Sequence, residues 1–145
     1  MRRIFILIIL IIMLTTVGIA EKSTTLISRS ALFGNPDRIT TRLSPDGSMM
    51  SFLAPVNGVL NVWVGPADQP ERAKPLTNDT YRGIRSYFWG YSNEHILFLQ
   101  DRNGDENWRV YSVNLSSGRI KDLTPFEGVQ SYIKALSPKF PSECI

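Results

Sequence analysis

The run SFLAPVNGVLNVWV (Ser51–Val64) returns as LFLQDRNGDENWRV (Leu97–Val110), and this internal repeat constrains the chain more than any other feature. Phe52-Leu53 answers Phe98-Leu99, Asn57-Gly58 answers Asn103-Gly104 and Asn61 answers Asn107, each at an offset of 46 residues. Leu76-Thr77 meets Leu123-Thr124 at an offset of 47. A turn precedes each apolar run, Ser44-Pro45-Asp46-Gly47 in the first copy and Tyr91-Ser92-Asn93-Glu94 in the second. Each copy therefore reads turn, strand, Asn-Gly hairpin, strand, turn, strand. Short strands repeating every 40–50 residues or so make a β-propeller blade, a four-stranded antiparallel sheet stacked face to face on its neighbours.

Blade strands are covered on both faces and need not alternate strictly, which suits the nearly continuous apolar run His95-Ile96-Leu97-Phe98-Leu99. Phe52, Trp63, Phe98, Leu99, Trp108 and Tyr111 are expected to face inward, with equal burial at matching positions. Tyr87, Phe88, Trp89, Trp108 and Tyr111 are expected to fill the space between blades. The repeat also decides how to read an acidic cluster. Asp101, Asn103, Asp105 and Asn107 alternate like the first ligands of a calcium loop, but that loop needs Gly at its sixth position and Glu at its twelfth. This chain has Glu106 and Ser112 there. The first copy, Val56-Asn57-Gly58-Val59-Leu60-Asn61, keeps the Asn-Gly pair and has no acid. What the copies share is a tight hairpin turn with positive φ at both central residues. Asp101 and Asp105 then read as solvated flanks, and Asn61 and Asn107 as bonded to the turn backbone.

At the amino end, Arg2 and Arg3 precede the unbroken apolar run Ile4–Leu14, followed by Gly18 and Ala20 at the spacing a signal peptidase reads. Residues 1–20 are therefore expected to be an export segment that is cleaved to leave Glu21 first, placing the mature chain in the periplasm or outside the cell. Left uncleaved, the segment would anchor the chain, although Ile4–Ala20 falls short of the roughly 20 residues that cross a bilayer. Two of the 16 basic residues leave with it, against 13 acidic ones, so the mature charge is +1. The remaining Lys and Arg are scattered, which argues against a nucleic-acid-binding face. Cys144 is the sole cysteine, so no internal disulfide framework exists and stability must come from burial. Residues 21–40 read as a lead-in, 41–80 as a first blade, 81–127 as a second and 128–145 as the start of a third, whose first strand is Gly128–Leu136. The fold class is all-β, an incomplete propeller of about two and a half antiparallel blades.

The segments LFGNPDRITTRLSPDG (Leu32–Gly47), APVNGVLNVWV (Ala54–Val64), GIRSYFWGYSNEHILFLQDRNGDENWRVYSVNL (Gly83–Leu115) and DLTPFEGVQ (Asp122–Gln130) together resemble one family. They are similar to the amino-terminal propeller of the prolyl oligopeptidase family of serine peptidases, in its bacterial dipeptidyl aminopeptidase and acylaminoacyl peptidase branch. The resemblance implies a propeller that caps an α/β-hydrolase domain and admits only short peptides as substrates. That chemistry requires a serine on a G-x-S-x-G elbow, followed in order by an aspartate and a histidine. The nearest stretch, Gly90-Tyr91-Ser92-Asn93-Glu94, has Glu94 in place of the second glycine and precedes a strand rather than a helix. The sole histidine, His95, follows Ser92 too closely for the order and reads as a strand-edge residue. Asp105 and Glu106 lie in a repeat hairpin, unlike the acidic pair with which the family's dipeptidyl branch binds a substrate amino terminus. No catalytic, cofactor-binding or metal-ligating residue is therefore assigned, and no cofactor is implied. The expected function is that of a non-catalytic, substrate-gating propeller piece of an exported peptidase, a truncated or split gene product whose partner is a separately encoded remainder. The alternative is a small exported module that captures a peptide or protein by strand addition.

Overall fold

The computed structural model describes residues 26–145, so the export segment lies outside the described residues. The chain divides into two compact units, Met1–Phe33 and Gly34–Ile145. In the first, the described residues hold one short helix, α1 (Arg29–Phe33). Ser28 starts it by accepting the Ala31 amide on Oγ (3.1 Å) and the Leu32 amide on its carbonyl (3.2 Å). Among the described residues no helix is long and apolar enough to cross a membrane.

The second unit is built of antiparallel sheets. β1 (Ile39–Leu43), β2 (Met49–Val56), β3 (Val59–Pro66) and β4 (Lys74–Pro75) form a first four-stranded sheet in that order. β5 (Ser86–Trp89), β6 (His95–Gln100), β7 (Arg109–Asn114) and β8 (Ile120–Asp122) form a second with the same order. These are the two copies of the repeat. Asn57 (φ 50°) and Gly58 (φ 83°) close the first hairpin at Val56↔Val59. Asn103 (φ 54°) and Gly104 (φ 84°) adopt the same turn, with the Asp105 amide donating to the Arg102 carbonyl (3.0 Å).

The copies are not in uniform register. Phe52 pairs with Trp63 and Phe98 with Tyr111, so the offset is 46 on β2/β6 but 48 on β3/β7. Two extra residues follow the second Asn-Gly turn, where Glu106 takes φ 56°. Asn61 therefore corresponds to Arg109 and not to Asn107, which has no ladder partner. The aromatic pairing survives the shift. Phe52 stacks on Trp63 (6.3 Å, 12°) and Phe98 on Tyr111 (5.3 Å, 17°).

Side chains alternate between faces along a strand, and this determines how the blades meet. Leu53 and Val62 of the first blade cluster with Ile84, Tyr87, Trp89, Ile96, Phe98 and Val113. The Leu53 face of one blade thus covers the Phe98 face of the next. Phe52 and Phe98 are both 2% exposed, the former lying under the Arg38 guanidinium at 4.6 Å. Leu53 is fully buried but Leu99, on the far face of the second blade, is only half-buried. Trp63, Trp108 and Tyr111 are also half-buried. Of the five aromatics expected between blades, Tyr87, Trp89 and Tyr111 take part in the shared core, whereas Phe88 and Trp108 line open grooves.

A buried polar link joins the blades inside this core. The Tyr87 hydroxyl donates to the Thr40 carbonyl and accepts from Ser51 Oγ (3.0 Å), which also accepts the Trp89 indole N–H (2.8 Å). Thr40 sits at a bulge in β1 with φ 55°, a conformation that β-branched residues rarely adopt. Each outer strand is completed by a threonine. The Val62 amide donates to Thr77 Oγ1 and the Val110 amide to Thr124 Oγ1, both at 2.9 Å, while the Leu76 and Leu123 amides bond the same residues' carbonyls at 2.8 Å.

Residues 128–135 contain no strand, contrary to the expectation for Gly128–Leu136. Their polar groups turn to the β6–β7 loop instead. The Ser131 amide donates to the Trp108 carbonyl (2.7 Å) and Gln130 Nε2 to the Glu106 carbonyl (2.8 Å). A separate two-stranded sheet follows, β9 (Leu136–Ser137) with β10 (Phe140–Cys144).

Candidate functional site

The longer β6–β7 hairpin gathers most of the charge that the sequence singled out. β6 and β7 end their ladder at Gln100↔Arg109, leaving residues 101–108 to close the loop. Asp101 is buried rather than a solvated flank: its Oδ2 meets Arg82 Nη2 (3.2 Å) and accepts the Glu106 amide (3.3 Å). Its other oxygen is buried without a partner, as is Arg109 Nε. Asp105 binds the amides of Arg102 (3.0 Å) and Asn107 (3.1 Å) and pairs with Arg109 Nη1 at 3.0 Å. Arg102 pairs with Asp122 at 2.9 Å and reaches the Tyr111 hydroxyl at 3.4 Å. Two arginines thus pair with loop acids, Arg82 with Asp101 and Arg109 with Asp105, while Arg102 of the loop pairs with Asp122 of β8. Among the described residues no group of three or more His, Cys, Asp or Glu converges as a metal site.

Asp105 titrates below the ordinary carboxylate range. Partial desolvation opposes ionisation, but the Arg102 amide, the Arg109 guanidinium and the Asn107 amide outweigh it. A depressed folded value means that ionised Asp105 stabilises the loop above the ordinary aspartate range. That contribution is lost as pH falls through the lowered value. The carboxyl carbon of Asp105, followed by NMR, is expected to titrate at lower pH in the folded chain than in urea. A midpoint at or above the urea value contradicts the network.

Ser92 and His95 line one cavity of about 230 Å³ with Lys121, Glu143 and Cys144, yet they do not form a catalytic pair. Ser92 Oγ accepts the Glu94 amide (3.4 Å), closing a turn in which Asn93 has φ 60°. His95 opens β6, with Nε2 3.3 Å from Asn114 Nδ2. Its hydrogen-bonding neighbour is thus an amide and not the carboxylate that orients a catalytic imidazole. Sequence reasoning assigned no role to Arg42. Its guanidinium lies 5.6 Å from the Tyr87 ring and 5.4 Å from the Phe88 ring, and beneath it is a pocket of about 310 Å³ with Leu43, Pro45, Trp89, Tyr91 and Leu136. Nothing local to β1 signals this, because the aromatics come from the second copy of the repeat.

No family model matches the chain. Dipeptidyl aminopeptidase BIII of Pseudoxanthomonas mexicana is 52% identical over 118 residues, covering 81% of this chain and 17% of that protein. Dipeptidyl peptidase family member 6 of Caenorhabditis elegans is 35% identical over 96 residues, covering 66% of this chain and 13% of that protein. The chain thus spans less than a fifth of the length of either relative. Among solved structures, TolB from Acinetobacter baumannii superposes with a TM-score of 0.55 at 26% identity, covering 68% of this chain and 24% of that one.

Proposed function

We propose a substrate-gating role for this chain, which is a homologue of dipeptidyl aminopeptidase BIII and of the propeller of prolyl oligopeptidase-family peptidases. Its two blades act as a non-catalytic wall beside an α/β-hydrolase active site, limiting access to short peptides. The carrying observation is that homology runs through two four-stranded blades in which Ser92 and His95 are each engaged with other partners. The catalytic groups come from hydrolase-domain sequence of the kind that makes up the rest of such peptidases. Export of the chain is part of this reading and is supported by the order Arg2-Arg3, Ile4–Leu14, Gly18, Ala20.

The assay is cleavage of chromogenic dipeptidyl amides by the chain alone and after co-expression with a family hydrolase domain. No turnover is expected from the chain alone. With the hydrolase domain, cleavage of short peptides should persist while that of peptides of about 30 residues falls, the mark of a wall that screens by size. Turnover by the isolated chain that disappears in Ser92→Ala overturns the reading. Equal cleavage of long and short peptides with and without the chain does the same.

A further inference from the structure

Tyr87 and Phe88 are consecutive on β5, so their side chains leave opposite faces of the sheet. A guanidinium about equally far from both rings must lie over the edge of that strand, and β5 is an edge strand of its sheet. Arg42 therefore reaches from β1 of the first blade to the free edge of the second. Cation–π contact uses the π faces and the charge but none of the guanidinium's in-plane N–H donors. Among the described residues the Arg42 side chain makes no hydrogen bond or ion pair. Asp46, in the turn that follows β1, spends Oδ1 on Ser44 Oγ (2.5 Å), the Ser48 amide (3.0 Å) and Ser48 Oγ (2.9 Å) instead. Beside this oriented cation stand Leu43, 61% exposed, and Tyr91, 39% exposed. The pocket of about 310 Å³ suits one or two amino-acid residues.

We propose that Arg42, with Leu43, Phe88 and Tyr91, forms a subsite for the free carboxylate and apolar side chain of a peptide's carboxyl-terminal residue. Two in-plane donors of a guanidinium match the two oxygens of a carboxylate. The aromatic contacts fix its orientation beforehand, which reduces the ordering cost of binding. The apolar rim selects a leucine or phenylalanine side chain over a charged one. Only the choice of a peptide as the carboxylate's carrier rests on the gating role proposed above.

The test is calorimetric titration of the full chain with acetyl-Leu-Phe as the free acid and as the carboxamide. Saturable binding of the acid is expected, with the amide weaker by about tenfold or more. Arg42→Gln should abolish the preference, and Arg42→Lys, which keeps the charge without the planar fork, should retain part of it. Circular dichroism of each variant, matched to the parent, separates loss of binding from loss of fold. Arg119→Gln, in the β7–β8 turn and outside this pocket, should bind as the parent does. Equal binding of acid and amide, undiminished preference in folded Arg42→Gln, or no binding by the parent chain overturns the proposal. Failure of size screening in the hydrolase assay would leave this titration unchanged, so the two readings fail separately.

Discussion

Replacing Asn61 with leucine is expected to lower the unfolding free energy by about 3 kcal/mol, although the two side chains are close in size. Asn61 is fully buried, and its carboxamide makes four bonds: Nδ2 donates to the Val59 carbonyl (3.1 Å) and the Asp79 carbonyl (2.9 Å), while Oδ1 accepts from Thr77 Oγ1 (2.8 Å) and the Asp79 amide (2.6 Å). Through Thr77, which receives the Val62 amide, the same side chain holds the outer strand to the sheet. Leucine would fill the space and leave the Asp79 N–H and the Thr77 O–H without an acceptor, each costing roughly 1–3 kcal/mol when buried. Partial rehydration at the sheet margin keeps the total below the sum. Urea unfolding followed by tryptophan fluorescence measures it. A shift within about 0.5 kcal/mol of the parent would mean that the amide is dispensable.

Phe98→Ala is expected to cost more, about 3–5 kcal/mol, because it opens a cavity where both blades meet. Phe98 packs with Leu53 and Val62 from the first blade and with Ile84, Tyr87, Trp89, Ile96 and Val113 around it. All but Ile84 are held by ladders on two different sheets and cannot collapse together into the space. Phe52→Ala, at the matching repeat position, should cost less. Its cover includes the Trp63 ring and the exposed side chain of Arg38, which can resettle more readily than a core packed from two sheets. The same urea titrations decide this, and equal losses at the two positions would show that the blade interface is not where stability is concentrated. With typical domains stable by only about 5–15 kcal/mol, Phe98→Ala would remove a substantial part of the total.

The blades could be read in the sequence because the signals that define them are local. Asn57-Gly58 and Asn103-Gly104 announce their turns by the positive φ that both then adopt. The Leu-Thr pairs stood out as matches, but their role did not. Only the folded backbone brings Thr77 Oγ1 to the Val62 amide and Thr124 Oγ1 to the Val110 amide. The alignment of Asn61 with Asn107 failed because a two-residue insertion after the turn changes the register without disturbing the motif before it. Asp101 was misjudged for a related reason. The first copy has apolar residues in that loop, so comparison between copies gave no hint that Arg82 would bury and pair the carboxylate. Arg42 was invisible because its partners lie 45 and 46 residues further along the chain.

Thr40 and Tyr87 are separated by 47 residues, and their hydrogen bond ties the bulged edge strand β1 of the first blade to the second. On the ribosome this becomes a matter of time. At about 5–20 residues per second, Tyr87 is made roughly 2–9 seconds after Thr40. During that interval the first blade can form its hairpin, since Val56↔Val59 is local. The carbonyl at Thr40 must meanwhile be satisfied by water, whereas the Ser51 hydroxyl can already reach the Arg42 carbonyl within the first blade. The order of synthesis therefore delays the final bonding of β1 until the next blade arrives, leaving an early blade whose central hairpin is set before its bulged edge strand.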